Sequence, residues 1–148
     1  MSHDTFLYVT YIATTPEKVW QALLEGDLTR QYWANHELKA ADGWHAGARW
    51  QLSDRDDSAA IHHEGKIFDH QPGHSLTLTW ANPEDAADAS KQTRVTFTVE
   101  AVTTMVRLTV THERLYPEMA ARISTGWPYV LASLKSFLET GHGLPIFR

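Results

Sequence analysis

The chain has 148 residues, the length of one domain, which we expect to span residues 1–148 and to bury about two thirds of the surface that its unfolded form exposes. Its 18 Asp and Glu outnumber its 13 Lys and Arg, and this net charge of −5 argues against nucleic acid as a partner. The absence of cysteine excludes disulfides and thiolate chemistry, so we expect a cytoplasmic protein. No segment approaches the roughly 20 apolar residues of a membrane span, so we expect no such span.

The N-terminal part of the sequence predicts one strand and two short helices. Residues 6–12 alternate and are rich in aromatic and β-branched side chains, which favours a strand. Thr15 and Pro16 then supply a capping hydroxyl and a proline at the first helical position. We expect Gly26 to end this helix and Asp27 to cap a second short helix.

The middle of the sequence, from residue 36 to residue 113, predicts an antiparallel meander. Segments with alternating apolar residues are separated by turn signals such as Asp42-Gly43, Pro72-Gly73 and Asn82-Pro83. The predicted strands are residues 36–40, 48–53, 61–70, 74–80, 92–101 and 105–113. Residues 81–91 are acidic and alanine-rich, and they are long enough for a mobile loop.

The last third of the sequence predicts a long amphipathic helix over residues 126–140, capped by Thr125 and stopped by Gly141. This start places Pro128 in the first turn, where its missing N–H loses no intrahelical bond. A start near Met119 would make the proline internal at a cost of about 3 kcal/mol, so we expect only a short turn at residues 117–123. The apolar stripe must pack on the sheet, and it comprises Trp127, Val130, Leu131, Leu134, Phe137 and Leu138.

Four passages of the chain together carry a family resemblance. They are residues 12–23 followed by Tyr32-Trp33, residues 65–67 with 76–80, residues 106–115 with His112, and residues 126–138 from Gly126-Trp127 onward. In this order they resemble the helix-grip fold of the START-like or SRPBCC superfamily, and more narrowly the AHSA1-like family of Hsp90-ATPase-activator homologues. The resemblance implies an α+β fold in which a seven-stranded antiparallel sheet curves around a long C-terminal helix, with two short helices between strands one and two. It also implies a largely apolar cavity between sheet and helix.

Strand and helix periodicity places large side chains on the walls of this cavity. We predict Trp127, Leu131 and Leu134 on the helix wall, and Trp50, Trp80, Phe97, Leu108 and His112 on the sheet wall. Aromatic rings there would supply apolar area, and an indole N–H can orient a polar group. The alternative is that these residues are packed core and nothing more. The leading hypothesis is a protein that binds a hydrophobic or amphipathic small molecule, without a cofactor.

Two further hypotheses concern catalysis and protein contacts. An imidazole titrates near neutrality, so His112 would suit a polyketide cyclase-like or hydrolase-like enzyme if a tyrosine or carboxylate lay beside it. Tyr8, Tyr11, Tyr32 and Glu64 are the candidate partners. A structural histidine bonded to a backbone carbonyl or a neighbour is the alternative, and the sequence favours binding over catalysis. The third hypothesis is a co-chaperone-like or stress-response interaction module, and the sequence also leaves a homodimer open.

A cluster of potential metal ligands, His62-His63-Glu64, lies in one predicted strand. Adjacent strand residues point to opposite faces, so we expect only His62 and Glu64 to share a face. Two ligands do not complete a zinc site. His36, His45, His70 and His74 would join them only through tertiary proximity, and we therefore expect no metal.

Overall fold

A computed structural model describes residues 4–147, which form one antiparallel sheet of seven strands and three α-helices. The strands are β1 Phe6–Ile12, β2 His36–Lys39, β3 Arg49–Asp54, β4 Ile61–Gln71, β5 Ser75–Trp80, β6 Thr93–Val102 and β7 Met105–Glu113. The helices are α1 Pro16–Leu24, α2 Gly26–Tyr32 and α3 Pro117–Thr140, with short 3-10 turns at Pro83–Asp85 and Ala89–Lys91. Within residues 4–147, no helix combines the length and the apolar character needed to cross a bilayer.

The strand order is β1-β7-β6-β5-β4-β3-β2, so β1 and β2 are the two edges of the sheet. The sheet curves around α3, as predicted for the helix-grip fold. Side chains alternate between the two faces of a strand, and every second residue of the central strands is buried on the inner face, which is largely apolar. These residues include Val95, Phe97 and Val99 of β6 and Val106, Leu108 and Val110 of β7.

Two predicted helix boundaries follow local capping. The Thr15 hydroxyl accepts a hydrogen bond from the Lys18 N–H at the start of α1, and Pro16 occupies the first helical position. Gly141 has a φ of 89° and ends α3, where its N–H donates to the Phe137 carbonyl. A left-handed residue at this place is inexpensive only for glycine.

The start of α2 differs from the prediction. Glu25 is extended and lies between α1 and α2, so Gly26 is the first residue of α2 and Asp27 is not its cap. A Cβ at Gly26 would lie 3.2 Å from the Leu38 carbonyl oxygen in β2. The glycine therefore allows close packing of α2 against β2, and it does not act as a helix stop.

The C-terminal helix α3 is longer than the sequence predicts. It continues without a break through Pro128, so the predicted start at Gly126 is wrong. The internal proline removes one backbone hydrogen bond at a cost of about 3 kcal/mol. Upstream of it, Met119 and Ile123 are buried, and each contributes roughly 1.5–3 kcal/mol by leaving water. Their burial outweighs the penalty at the proline.

Candidate functional site

A cavity of about 560 Å³ lies between the first half of α3 and the part of the sheet formed by β2 to β5. Three indole rings, those of Trp33, Trp80 and Trp127, form much of its wall. Trp33 and Trp80 are nearly parallel, with ring centroids 6.1 Å apart, and Trp127 meets Trp80 at 5.4 Å. The wall therefore offers flat aromatic surfaces on the sheet side and the helix side at once.

The turn between α2 and β2 places Trp33 and His36 on this wall. Ala34 and Asn35 between them have positive φ angles of 48° and 61°. The His36 N–H donates to the Trp33 carbonyl over 2.8 Å and closes the turn. A tight reversal of this kind is not visible in side-chain periodicity, which explains why neither residue was a predicted site residue.

A β-bulge in β4 brings His62 and His63 to the same cavity. Leu52 of β3 pairs with His63 and Ser53 pairs with Ile61, so His62 is the extra residue. The expectation that His62 and His63 point to opposite faces is therefore wrong, because both line the cavity. The strict alternation on which it rested is broken at this residue.

The imidazole rings of His36 and His62 stack across the cavity wall, with centroids 3.9 Å apart and an angle of 24° between their planes. Ring nitrogens bind metals in the plane of the ring, and nearly parallel planes do not direct two nitrogens to one point. Among residues 4–147, no group of three or more His, Cys, Asp or Glu side chains is arranged to hold a metal ion.

Several polar atoms at this wall have no hydrogen-bond partner within residues 4–147. They are His36 Nδ1, His62 Nε2, His63 Nδ1 and Trp80 Nε1, and all four atoms are buried. Burial, with a smaller effect of the neighbouring His62, lowers the pKa of His36 and the pKa of His63 to about 4 each. Both rings are neutral at pH 7, so each carries one N–H donor and one acceptor.

Arg122 of α3 provides a positive charge at the cavity wall. Its guanidinium donates a long bond of 3.5 Å to the Asn82 side chain. Within residues 4–147, none of the ion pairs involves Arg122. No Asp, Glu or Lys lies on the described wall, so Arg122 is its one permanently charged side chain.

His112 lies deeper, with 0% of its surface exposed, and its two ring nitrogens are both used. The Trp127 indole N–H donates to Nδ1 over 3.0 Å, and Nε2 is 2.7 Å from the Thr93 hydroxyl. An indole nitrogen can only donate, so Nδ1 is bare and Nε2 carries the proton. The Thr93 hydroxyl donates its own hydrogen bond to the Trp80 carbonyl over 2.6 Å.

This chain of bonds gives His112 a structural role. Burial, together with the nearby His63, lowers its pKa to about 3. Among residues 4–147, no tyrosine or carboxylate bonds to it: Tyr32 donates to the Ala22 carbonyl, and Glu64 pairs with Arg49. The geometry thus lacks the partner that acid–base chemistry at His112 requires.

Two of the eight predicted ligand-binding residues, Trp80 and Trp127, lie on the cavity wall. The other six are buried in the packed interior and away from that wall: Trp50, Phe97, Leu108, His112, Leu131 and Leu134. Ligand contact stays a prediction for all eight. Trp33, Arg122 and the shared orientation of the histidines are not predicted by the sequence, although Tyr32-Trp33 is part of the family resemblance.

Comparisons with known proteins place this geometry in a family. Curated protein sequences give no match. The fold is similar to the Aha1 dimer of Colwellia psychrerythraea, with a TM-score of 0.74 and 24% identity over 94% of this chain and 98% of that chain. It is similar to an HSP90 activator of Plasmodium falciparum, with a TM-score of 0.75 and 15% identity over 93% and 96% of the two chains.

A third similar structure is CalU16 of Micromonospora echinospora, with a TM-score of 0.73 and 16% identity over 93% of this chain and 77% of that chain. At these identities the likeness shows the fold alone. The family model described as "Activator of Hsp90 ATPase homolog 1-like protein" matches residues 13–139. The chain therefore belongs to the AHSA1 family.

Proposed function

We propose that this protein binds a hydrophobic or amphipathic small molecule in the cavity between α3 and the sheet. The observation that supports it is the cavity itself, whose volume of about 560 Å³ lies within the range of roughly 300–1,000 Å³ typical of ligand sites. Its three indoles give a ligand apolar contact area, and its few polar groups can orient one. The role of the bound molecule in the cell is a separate question.

A cavity-filling substitution tests this proposal directly. Gly126 lies on the cavity wall within α3, and a Cβ added there meets no atom within 4 Å. The ring of Gly126→Phe should extend into the cavity from a Cβ that meets no neighbour, while replacing a helical glycine adds helix stability. Thr125→Phe is the matched control, because it adds the same ring at the neighbouring exposed position.

The readout is native mass spectrometry of protein purified from its own host. We expect a small-molecule mass adduct on the wild type and on Thr125→Phe, and none on Gly126→Phe. An adduct that persists on Gly126→Phe would place the ligand elsewhere. Wild-type protein that carries no adduct, and binds no apolar probe, would refute the proposal.

A second candidate function, self-association, is favoured by the outer face of the edge strand β1. Leu7, Val9 and Tyr11 on this face are 61%, 42% and 43% exposed. An apolar stripe on an unpaired edge is a ready surface for another strand, and the similar Colwellia psychrerythraea protein is described as a dimer. The co-chaperone and stress-response roles and the cytoplasmic location stay predictions.

Light scattering across a range of concentrations tests this second candidate. A homodimer should dissociate on Leu7→Lys with Val9→Lys, whereas Tyr129→Lys, an equally exposed apolar position on α3, should leave it intact. A wild type that is monomeric at high concentration would refute it.

A further inference from the structure

The polar groups of the cavity share one property, which is that they can all donate hydrogen bonds while the described wall carries no acid. The groups are the Arg122 guanidinium and the imidazoles of His36, His62 and His63. Arginine donates only, and an imidazole donates from one nitrogen when neutral and from both when protonated. A ligand that complements such a wall must bring acceptors.

Each of the three cavity histidines, His36, His62 and His63, has one ring nitrogen that is not buried. One nitrogen of each ring is buried without a partner. The other nitrogen of each ring is not among the buried unpaired atoms, and within residues 4–147 it has no side-chain hydrogen bond. Each ring therefore has one accessible nitrogen and one buried nitrogen. An acceptor-bearing ligand could take a hydrogen bond from the accessible nitrogen of a ring whose tautomer places the proton there.

The positive charge of Arg122 favours a ligand whose hydrogen-bond acceptor is an anion. Arg122 lies close enough to His63 to disfavour a positive charge on that ring, and no ion pair within residues 4–147 neutralises the guanidinium. An anion between them would be attracted by Arg122 and would favour the protonated imidazoles. Charge-assisted bonds of this kind are about twice as strong as neutral ones.

Resting on the proposed function, we infer that the ligand class is an aromatic organic acid. Its carboxylate would lie between Arg122 and His63, and its flat ring would lie against Trp33, Trp80 and Trp127. The ring geometry supports this placement, because Trp33 and Trp80 are nearly parallel and the planes of Trp33 and Trp127 meet at 62°.

One rival ligand class also fits aromatic walls. Tryptophan cages bind organic cations through the negative faces of their rings. Here such a cation would meet Arg122 and would find no carboxylate on the described wall. The charge of the wall therefore favours an acid over an amine.

Three probes that share one ring system separate these classes: 2-naphthoate, 2-naphthamide and 2-naphthylmethylamine. We expect isothermal titration calorimetry at pH 7 to show the acid binding about tenfold or more tighter than the amide, since a charge-assisted bond contributes more than a neutral one. The amine should bind most weakly. Gly126→Phe should abolish binding of the acid and thereby locate it in the cavity.

The positioning of the carboxylate is tested by Arg122→Gln. This variant should bring the affinity for naphthoate down to that for naphthamide and leave the affinity for naphthamide unchanged. Arg107→Gln is the control, because it makes the same charge change on a residue that pairs with Glu100 and is not on the cavity wall.

The outcomes distinguish this inference from the proposed function. Equal affinities for the acid and the amide, or tighter binding of the amine, would overturn the acid assignment while leaving a small-molecule site in place. An Arg107→Gln effect as large as that of Arg122→Gln would overturn the assignment of the carboxylate. If no probe binds, the aromatic-acid class is refuted, and the mass adduct alone decides the proposed function.

Discussion

The indole of Trp127 donates a hydrogen bond to Nδ1 of His112 over 3.0 Å, and this bond fastens α3 to β7. Through the Thr93 hydroxyl the same chain of bonds reaches β6 and the Trp80 carbonyl of β5. The Trp127 indole can only donate and the Trp80 carbonyl can only accept, so the direction of every bond between them, and with it the tautomer of His112, is fixed. The helix is thereby held at one rotation over the sheet.

Trp127→Phe should destabilise the protein by about 1–3 kcal/mol, because it leaves a buried acceptor on His112 without a donor. In a His112→Leu background the same change should cost less, which gives a coupling energy of about 1 kcal/mol in a double-mutant cycle. Urea denaturation measures it. Trp33→Phe, whose indole makes no bond to His112, should show no coupling; equal coupling for both tryptophans would contradict the hydrogen-bond explanation.

Buried neutral histidines should make the protein less stable as the pH falls from 7 towards 4. Burial lowers the pKa of His112 to about 3 and those of His36 and His63 to about 4. Below about pH 6.5 the unfolded chain takes up protons at these residues, whereas the folded chain does not until the pH approaches the lowered values. The unfolded state then binds more protons, and for His112 alone the free energy of unfolding should drop by about 2 kcal/mol at pH 5.

Urea midpoints at pH 7.5 and pH 5 measure this loss. Other titratable or charged groups also act on the pKa of each ring. His63 is affected by His62, Arg122 and His36. His36 is affected by His62 and Asp54, and His112 is affected by His63. His63→Gln should reduce the pH dependence, and His45→Gln, at an exposed position, should leave it unchanged. Identical wild-type midpoints at the two pH values would show that the rings do not stay neutral.

Pro128→Ala should stabilise the protein by up to about 3 kcal/mol. The alanine restores the N–H that the proline lacks and removes the contact of its ring with the preceding turn. The midpoint of urea unfolding is the measurement. A lower midpoint would mean that the packing of Met119 and Ile123 depends on a bend at this proline.

The two glycines Gly65 and Gly126 should respond in opposite directions to alanine. A Cβ at Gly65 would clash with the Thr79 carbonyl oxygen, so Gly65→Ala requires β4 and β5 to move apart and should cost about 2–4 kcal/mol. A Cβ at Gly126 meets nothing within 4 Å, and Gly126→Ala should stabilise α3 by about 1 kcal/mol. Thermal unfolding of both variants tests this contrast, and a tolerated Gly65→Ala would contradict the close approach of the strands.

The fold could be predicted from the sequence because it depends on repeated local signals. Alternation placed every strand to within one or two residues, and Thr15, Pro16 and Gly141 marked helix ends through capping. The site depends on exceptions to those signals. The bulge at His62 breaks the alternation. Pro128 leads to the prediction of a helix that starts at Gly126, so the upstream part of α3, which completes the cavity, is not predicted.

Trp50 illustrates the same limit within the core. Alternation correctly predicted that it faces inward, but its indole lies beside Gly65 and donates to the Thr79 carbonyl over 2.9 Å. This hydrogen bond holds the indole of Trp50 in the packed interior, away from the cavity wall. Such a contact depends on tertiary packing and has no counterpart in the spacing of residues along the chain.

The cluster of indoles also provides a spectroscopic signal that shows whether the cavity is occupied. Of the six tryptophans in the chain, Trp33, Trp80 and Trp127 line the cavity, and Trp50 lies 4.8 Å from Trp80. Trp20 lies apart, stacked on His70 at 5.7 Å. Coupled indoles at these distances give a near-ultraviolet circular dichroism signal that depends on their mutual angles. A molecule that binds against them would change that signal and their fluorescence together, so occupancy can be followed in unlabelled protein.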